Sequence, residues 1–326
     1  MTLDGQTILV TGGTGSFGKA FARTVLRECN PKKLIVYSRD EAKQHDMQCV
    51  EGFNDARLRF FVGDVRDRQR LTRAMTGVDI VVHAAAMKQV PACEYNPIEA
   101  VKSNIDGATN IIEAAIDNRV KKVLALSTDK AVSPTNLYGA TKLVAEKLFV
   151  QGNSYSGAGG ARFSCTRYGN VLGSRGSVVP LFLKQRETGV VTVTDERMTR
   201  FWLTLEQGVQ FVLRCLDIMC GGEVFVPKIA SMKLVDLARA VAPECRVDVV
   251  GIRPGEKLHE VLVSRDESLH TQEMDDLYVI EPVFPWWNDQ RPQFGPPMTP
   301  GTKFSSDANT HWLSAEEVLK LLEEKG

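Results

Sequence analysis

Tyr138 and Lys142 stand four residues apart at the start of an apolar-periodic run containing Leu143, Val144, Leu148 and Phe149. In a helix that spacing puts both side chains on one face. A nearby ammonium favours phenolate over phenol, so the pair can act as a general base near neutral pH. Upstream, Ser127-Thr128-Asp129-Lys130 follows the apolar run Val123 to Leu126. That run reads as a buried strand, which puts Thr128, Asp129 and Lys130 at its carboxyl end. Open parallel sheets bind their ligands at that edge. Taken alone, Tyr138 and Lys142 also fit the surface of an amphipathic helix, and Asp129 with Lys130 a plain loop ion pair.

A second stretch carries different chemistry. Thr7 to Val10 reads as a short strand and runs into Thr11-Gly12-Gly13-Thr14-Gly15-Ser16-Phe17-Gly18-Lys19, then a helical pattern of Ala20, Phe21, Val25 and Leu26. Strand, glycine turn and helix are the context a dinucleotide fingerprint requires. Glycines allow positive φ and close approach of backbone to a pyrophosphate at a helix N-terminus. Gly12, Thr14, Gly15, Ser16, Phe17 and Gly18 are therefore cofactor candidates. Leu34 to Tyr37 reads as the next strand, followed by Ser38-Arg39, with Lys43 four residues beyond Arg39. A hydroxyl and two cations suit the extra phosphate of NADP, where an acid would suit the ribose of NAD. Asp40 takes that acidic role if the register slips by two.

Arg59 to Val62 reads as a third strand ending in Gly63-Asp64-Val65. Asp64 could meet an adenine amino group or cap a helix. Ile80 to His83 reads as a fourth strand, with His83 a packed strand residue and Ala84-Ala85-Ala86 beyond it. Small side chains there let backbone lie against a flat cofactor. The following loop, Met87 to Pro91, could turn Lys88 towards a substrate. Ser103 to Asn118 reads as one helix.

Strand and helix thus alternate to about residue 150, which implies an α/β fold with a doubly wound parallel, Rossmann-type sheet. A smaller mixed α/β region for substrate is expected beyond it. Residues 1–168, with 205–225 returning to them, form the expected NADP-binding domain. Residues 169–204 and 226–326 form the expected substrate region. Gly152 to Gly160 reads as an interruption. The loop Gly251 to Lys257 carries Arg253, Glu256 and Lys257 between apolar segments and could clamp a diphosphate or simply be exposed. The Pro-, Trp- and Gly-rich interval 284–301 reads as an ordered cover. Ser314 to Glu317 is a capping box opening a last helix.

Composition narrows the classes. The 326 residues carry 40 basic and 40 acidic side chains, so no overall field draws the chain to nucleic acid or an anionic membrane. No apolar run approaches the roughly 20 residues of a membrane span. The start, Met1 to Gly5, lacks the basic and apolar regions of a signal peptide. Seven cysteines without a C-x-x-C pair suit reduced thiols in a cytoplasm, and five histidines show no ligand spacing, so no metal is expected.

Together Thr11 to Lys19, Tyr37 to Glu41, Met87 to Pro91, Glu94 to Pro97, Ser127 to Ala131, Tyr138 to Lys142 and Arg253 to Glu260 resemble the extended short-chain dehydrogenase/reductase family over nearly the whole chain. Within it, the chain is similar to the soluble, C5-inverting UDP-N-acetylglucosamine 4,6-dehydratases that begin pseudaminic acid synthesis. Retaining glucose dehydratases carry Asp-Glu where this chain has Asp129-Lys130. Membrane-anchored relatives usually replace the tyrosine with Met. The resemblance implies NADP as cofactor, UDP-N-acetylglucosamine as substrate and a homo-oligomer, dimer or hexamer. It implies catalysis by Tyr138, Lys142, Thr128, Asp129 and a neutral Lys130. Val65 and Ala84 to Ala86 would join the cofactor site, and Lys88, Asn170, Val171, Arg200, Arg253 and Glu256 the substrate site. Alternatives are a retaining UDP-sugar 4,6-dehydratase, a nucleotide-sugar 4-epimerase, and, from another class, a catalytically silent NADP-binding sensor or scaffold.

Overall fold

The computed structural model describes residues 3–157, 159–173, 177–287 and 292–323. The first half alternates regularly: β1 Thr7–Thr11, α1 Ser16–Glu28, β2 Lys33–Ser38, α2 Glu41–Gln48, β3 Leu58–Val62, α3 Arg68–Ala74, β4 Ile80–His83, α4 Val90–Tyr95 and α5 Pro97–Val101. A π-helical turn, Lys102–Asp106, joins α5 to α6 Gly107–Asp117; then come β5 Lys122–Leu126, α7 Leu137–Ser156 and β6 Arg162–Thr166. The second half holds β7 Asn170–Val171, α8 Val178–Arg186, β8 Val190–Val193, β9 Thr199–Leu203, α9 Leu205–Ile218, β10 Val224–Pro227 and β11 Ala230–Lys233. It closes with α10 Leu234–Val241, β12 Arg246–Val249, β13 Val261–Val263, β14 Thr271–Glu273, β15 Leu277–Ile280, β16 Phe304–Ser305 and α11 Ala315–Glu323.

Nine strands form one sheet in the order β14-β15-β10-β6-β5-β4-β1-β2-β3. It is parallel from β3 to β10, and β15 and β14 add antiparallel at the edge. The inner strands β1 and β4 are buried throughout, because helices cover both faces. One apolar core gathers α3, α6 and α7 on one face; another gathers α1 and α9 on the other. The order reverses between β1 and β4, so a crevice opens at the carboxyl ends of these two strands.

A third core, built around Phe182, Val191, Trp202, Met232 and Leu237, unites α8, α10, α11 and the small sheet β11-β9-β7. This is the smaller mixed region. Its boundary differs from the expected one at 226. Strands β10, β15 and β14 belong to the large sheet, since an antiparallel pair can extend an open parallel edge without a crossover helix. Residues 292–298 then run along β14. Phe294 N donates to Gln272 Oε1, Glu273 N to Pro296 O and Met298 N to Thr271 O. The interval 284–301 thus shields an edge strand that would otherwise offer unpaired backbone; its residues 288–291 lie outside the described residues.

The single helix expected over Ser103–Asn118 is instead interrupted by the π-helical turn. Asn104 explains where. Its amide clasps both backbone groups of Met87 (2.8 and 2.9 Å) and donates to Thr141 Oγ (2.9 Å). A widened turn at such a point fits the usual link between π-bulges and functional sites. The expected break at Gly152 does not occur: α7 runs through it to Ser156. Gly152 packs on α6, where a Cβ would stand 3.2 Å from Ile112 Cγ2.

Candidate active site

The crevice opens into a cavity of about 1270 Å³ bounded by both regions. At one end lies the glycine turn. Gly12 has φ +64°, and a Cβ there would come within 2.9 Å of Ala85 N. A Cβ on Gly18 would stand 2.4 Å from Gly13 Cα. The turn is therefore pressed between the end of β4 and the start of α1, with its backbone bared to the cavity. Thr11 fastens the two strand ends. Its Oγ accepts from Ala84 N and Ala85 N, both at 3.2 Å, and lies 2.8 Å from His83 Nδ1. With two amides donating to Thr11, its hydroxyl proton is directed to His83. That assigns a neutral ring, in line with burial, and secondarily Lys142, pushing His83 down to about 3.

Ser38, Arg39, Lys43, Asp64 and Val65 line the same end. Ser38 Oγ meets Thr14 Oγ at 2.8 Å. Asp40 is the N-cap of α2, accepting from Lys43 N at 3.0 Å, and its carboxylate also pairs with the Lys43 ammonium. Lys43 is thus engaged by Asp40. Arg39 is 65% exposed and 3.9 Å from Asp64, which holds Arg66 more tightly at 2.8 Å. Arg39 is the more available cation here. A bared glycine turn, a helix N-terminus at Gly15 and three alanines at the strand end fit a dinucleotide.

The middle of the cavity gathers the candidate catalytic residues. Thr128, Lys130, Tyr138 and Lys142 line it; Asp129, fully buried, lies behind them. Asp129 Oδ1 accepts from Thr128 Oγ (2.9 Å) and Lys130 Nζ (3.0 Å). Its other oxygen has no hydrogen bond among the described residues. Gly139 makes the juxtaposition possible, since a Cβ there would stand 2.1 Å from Lys130 O. The strand-end loop lies directly against the first turn of α7, which Asn136 caps by accepting from Gly139 N at 2.8 Å.

The protonation pattern departs from expectation. Burial works to lower Lys130, but Asp129 and then Glu260 outweigh it and raise Lys130 above the ordinary lysine range. These neighbours favour the ammonium at rest, whereas action as the base requires the neutral amine. Burial raises Asp129, Lys130 opposes it, and the net direction is up. Burial also pushes the Tyr138 phenol up to about 12, against the pull of Lys130. Lys142 is lowered by burial, and its ammonium donates to Leu126 O at 2.7 Å.

At the far end, Lys88, Asn170, Val171, Arg200, Arg253 and Glu256 all line the cavity. Asn170 Oδ1 lies 3.4 Å from Lys130 Nζ. Arg253 is exposed, with its backbone N–H donating to Glu256 at 3.3 Å. Arg200 is otherwise engaged. Its guanidinium donates to the carbonyls of Thr199 (2.7 Å), Lys257 (2.9 Å) and Leu258 (3.1 Å). The loop carrying Arg253 is tied to the catalytic loop through Gly255 O, which accepts from Asn136 Nδ2 (2.8 Å) and Thr135 Oγ (3.0 Å).

One neighbour, Glu260, escaped sequence reasoning, and Lys257 was placed only in the loop of a possible diphosphate clamp. Glu260 is 3% exposed, with Oε1 3.4 Å from Lys130 Nζ. Lys257 Nζ is 3.9 Å from Glu260 Oε2 and donates to Val132 O. An acid directly abutting an apolar strand is the one local signal for Glu260. Among the described residues no group of three acidic, His or Cys side chains could hold a metal, and no helix is long and apolar enough to cross a membrane.

A glycine turn and a tyrosine–lysine helix facing each other across a strand-order reversal define the extended short-chain dehydrogenase/reductase class, and this fold is of that class. The chain belongs to the polysaccharide biosynthesis protein family, whose model matches residues 8–282. It is 51% identical over 329 residues to the inverting UDP-N-acetylglucosamine 4,6-dehydratase of Campylobacter jejuni strain 81-176, covering 98% of each chain. It is 42% identical over 283 residues to the UDP-glucose 4-epimerase of Rickettsia conorii, covering 84% of this chain and 82% of that one. Among solved structures, Pen from Bacillus thuringiensis matches with a TM-score of 0.91 at 39% identity, over 100% of this chain and 99% of that one.

Proposed function

We propose that the chain removes water from UDP-N-acetylglucosamine across C5 and C6, with inversion at C5, to give UDP-2-acetamido-2,6-dideoxy-β-L-arabino-hexos-4-ulose. The observation that carries this reading is the Asp129–Lys130 pair, 3.0 Å apart, with Lys130 on the cavity wall beside Tyr138 and Asp129 directly behind it. A 4-epimerase needs the tyrosine and lysine but no acid–base pair for a second carbon.

Tyr138, once ionised against the burial that holds its phenol high, takes the C4 hydroxyl proton. When bound, the dinucleotide supplies the ring that accepts hydride from C4 and later returns it to C6. A ketone at C4 makes the C5 proton acidic. Lys130, as the amine, removes it. Asp129, as the acid, protonates the departing C6 oxygen. Because Asp129 lies behind the wall, the proton passes through Thr128, which lines the cavity; its hydroxyl donates to Asp129 Oδ1 at 2.9 Å at rest and reverses that bond as Asp129 acts as the acid. The test is incubation with UDP-N-acetylglucosamine and mass measurement of the product. Loss of one water supports the reading. A product of unchanged mass epimerised at C4 supports the Rickettsia-like alternative.

The cofactor we propose is NADP, on the strength of Arg39 and Ser38 after β2. Charge-assisted hydrogen bonds contribute about 1.5–3 kcal/mol, so Arg39→Ala should weaken NADP by about tenfold or more and leave NAD nearly unchanged. Titration of both cofactors checks this; equal losses contradict it. For the diphosphate we propose Arg253, with Glu256 meeting a ribose hydroxyl and Arg200, held by three carbonyls, positioning the wall. Arg253→Ala should raise KM with kcat nearly kept, as loss of uniform binding does. Steady-state kinetics with unchanged KM would remove Arg253 from the site.

We place the reaction at the start of pseudaminic acid-type synthesis, since a 4-ketone prepares the sugar for amine transfer. A cytoplasmic setting suits the free cysteines found among the described residues. A homo-oligomer is supported by exposed Tyr95 on α4 and Ile98 on α5, 86% and 63% accessible.

A further inference from the structure

Glu260 takes no step in the reaction derived above, yet it lies against the base. Its Oε1 is 3.4 Å from Lys130 Nζ and 3.8 Å from Arg200 Nε. Its Oε2 has no hydrogen bond among the described residues, with Lys257 Nζ 3.9 Å away. The backbone is fixed from behind. Glu260 N donates to Ser306 Oγ (2.9 Å), and Ser306 N donates to Glu260 O (2.8 Å). The Ser306 hydroxyl also meets Thr199 Oγ at 2.7 Å, and both residues are buried. Burying a carboxylate is costly unless cations offset it. Here Lys130, Arg200 and Lys257 do so.

We propose that Glu260 is a positioning residue for the elimination, anchoring the Lys130 ammonium against Asp129 so that the pair holds one shared proton between turnovers. The inference rests on the dehydratase reading. The proton balance of the elimination closes, and C5 afterwards takes its new proton from solvent. At rest the pair is carboxylate and ammonium. One proton crosses the 3.0 Å from Nζ to Oδ1, leaving amine and carboxylic acid. The amine takes the C5 proton while the C6–O bond breaks. The acid, through Thr128, protonates the leaving oxygen. Water departs, a C5–C6 double bond forms, and the ammonium and carboxylate are restored. Glu260 stays ionised, because Lys130, Arg200 and Lys257 outweigh the effect of its burial.

The charge of Glu260 acts on both partners in the same sense. Lys130 faces Asp129, Glu260, Arg200, Lys88, Lys257 and Tyr138, with Asn170 as a neutral neighbour. Asp129 faces Lys130, Glu260, Tyr138 and Lys257, with Thr128 as a neutral neighbour. Glu260 raises the proton affinity of Lys130 and of Asp129. The acid limb of the pH profile follows protonation of Asp129, and the alkaline limb follows proton loss from Lys130. Removing the charge therefore moves both limbs towards acid.

The experiment compares wild type with Glu260→Gln by the pH dependence of kcat and by nitrogen NMR of labelled lysine side chains, with Lys130 assigned by its loss in Lys130→Met. In wild type, Lys130 should stay protonated to the alkaline limit of folding. In Glu260→Gln it should titrate at least about one unit lower, and both limbs should follow it. KM for UDP-N-acetylglucosamine should change by less than about twofold. Should Glu260→Gln fail to fold, Glu260→Asp decides: it keeps the charge, so the pH window should stay while kcat falls. Equal loss at every pH with an unmoved Lys130 titration would overturn the proposal. The titration needs no substrate, so a shifted Lys130 without release of water would sink the dehydratase reading alone.

Discussion

Lys130→Met should stop the reaction after C4 is oxidised, with reduced cofactor accumulating up to one per site and no water released. Removing a positioned general base typically costs about 10²–10⁴ in rate, and here the same residue also reloads the acid. Tyr138→Phe should fail one step earlier, with no reduced cofactor at all. The lysine variant carries a structural cost as well. Asp129 and Glu260, 1% and 3% exposed at the side chain, lose the cation between them. Breaking a buried ionic cluster costs about 3–5 kcal/mol. The 26% exposure of Lys130 lets water offset part of this. Lys130→Met with Glu260→Gln should regain stability and still release no water. Rapid mixing with substrate, monitored by cofactor absorbance, checks the order of steps. Full turnover by Lys130→Met would remove Lys130 as the base.

Arg167→Met should be the most destabilising single change away from the cavity. The guanidinium is buried and makes two forks. One holds Glu146 of α7 at 3.1 and 2.6 Å; the other holds Glu267 at 3.0 and 3.2 Å. A fifth bond reaches Leu262 O at 2.9 Å. Arg167 therefore joins the end of β6 to α7 and to the chain after β13. Its loss strands buried Glu146 and half-buried Glu267, at about 3–5 kcal/mol, less what water returns to Glu267, a large share of a typical total of about 5–15. Lysine cannot replace two planar forks. Burial pushes Glu267 up, but Arg167 outweighs it and holds the carboxyl low. In wild type that contribution is complete above the ordinary glutamate range and is lost as pH falls through the lowered value. In the variant an unpaired Glu267 gains by protonation, so the deficit should narrow on acidification. Urea unfolding at neutral and acid pH checks both statements; a deficit below about 1 kcal/mol would contradict the first.

The sequence could bring the candidate residues of the cavity's middle together because they sit at a strand end or on one helix turn. Thr128 to Lys130 and Tyr138 to Lys142 belong to consecutive elements, so local periodicity placed them. The π-helical turn was not legible, since its cause is the clasp of Asn104 on Met87, far away in the chain. Nor was the charge of Lys130. Spacing shows its neighbour Asp129, but Glu260 arrives from 130 positions later and is brought in by the pairing of β13 with β16. The engagement of Arg200 by three carbonyls and of Lys43 by Asp40 is tertiary detail of the same kind. The return of β14 and β15 to the large sheet was hidden because short edge strands carry little periodicity.

The central claim is elimination through a C4 ketone with C5 rebuilt from the opposite face. Removal of the C5 proton leaves a planar carbon, and the face that regains a proton fixes the configuration. Reaction of UDP-N-acetylglucosamine in D2O, followed by NMR of the product, reads every part at once. The β-L-arabino 4-ulose should form, with solvent deuterium at C5 and the original C4 hydrogen at C6. An α-D-xylo product, or a product that keeps its C6 hydroxyl, would contradict the account.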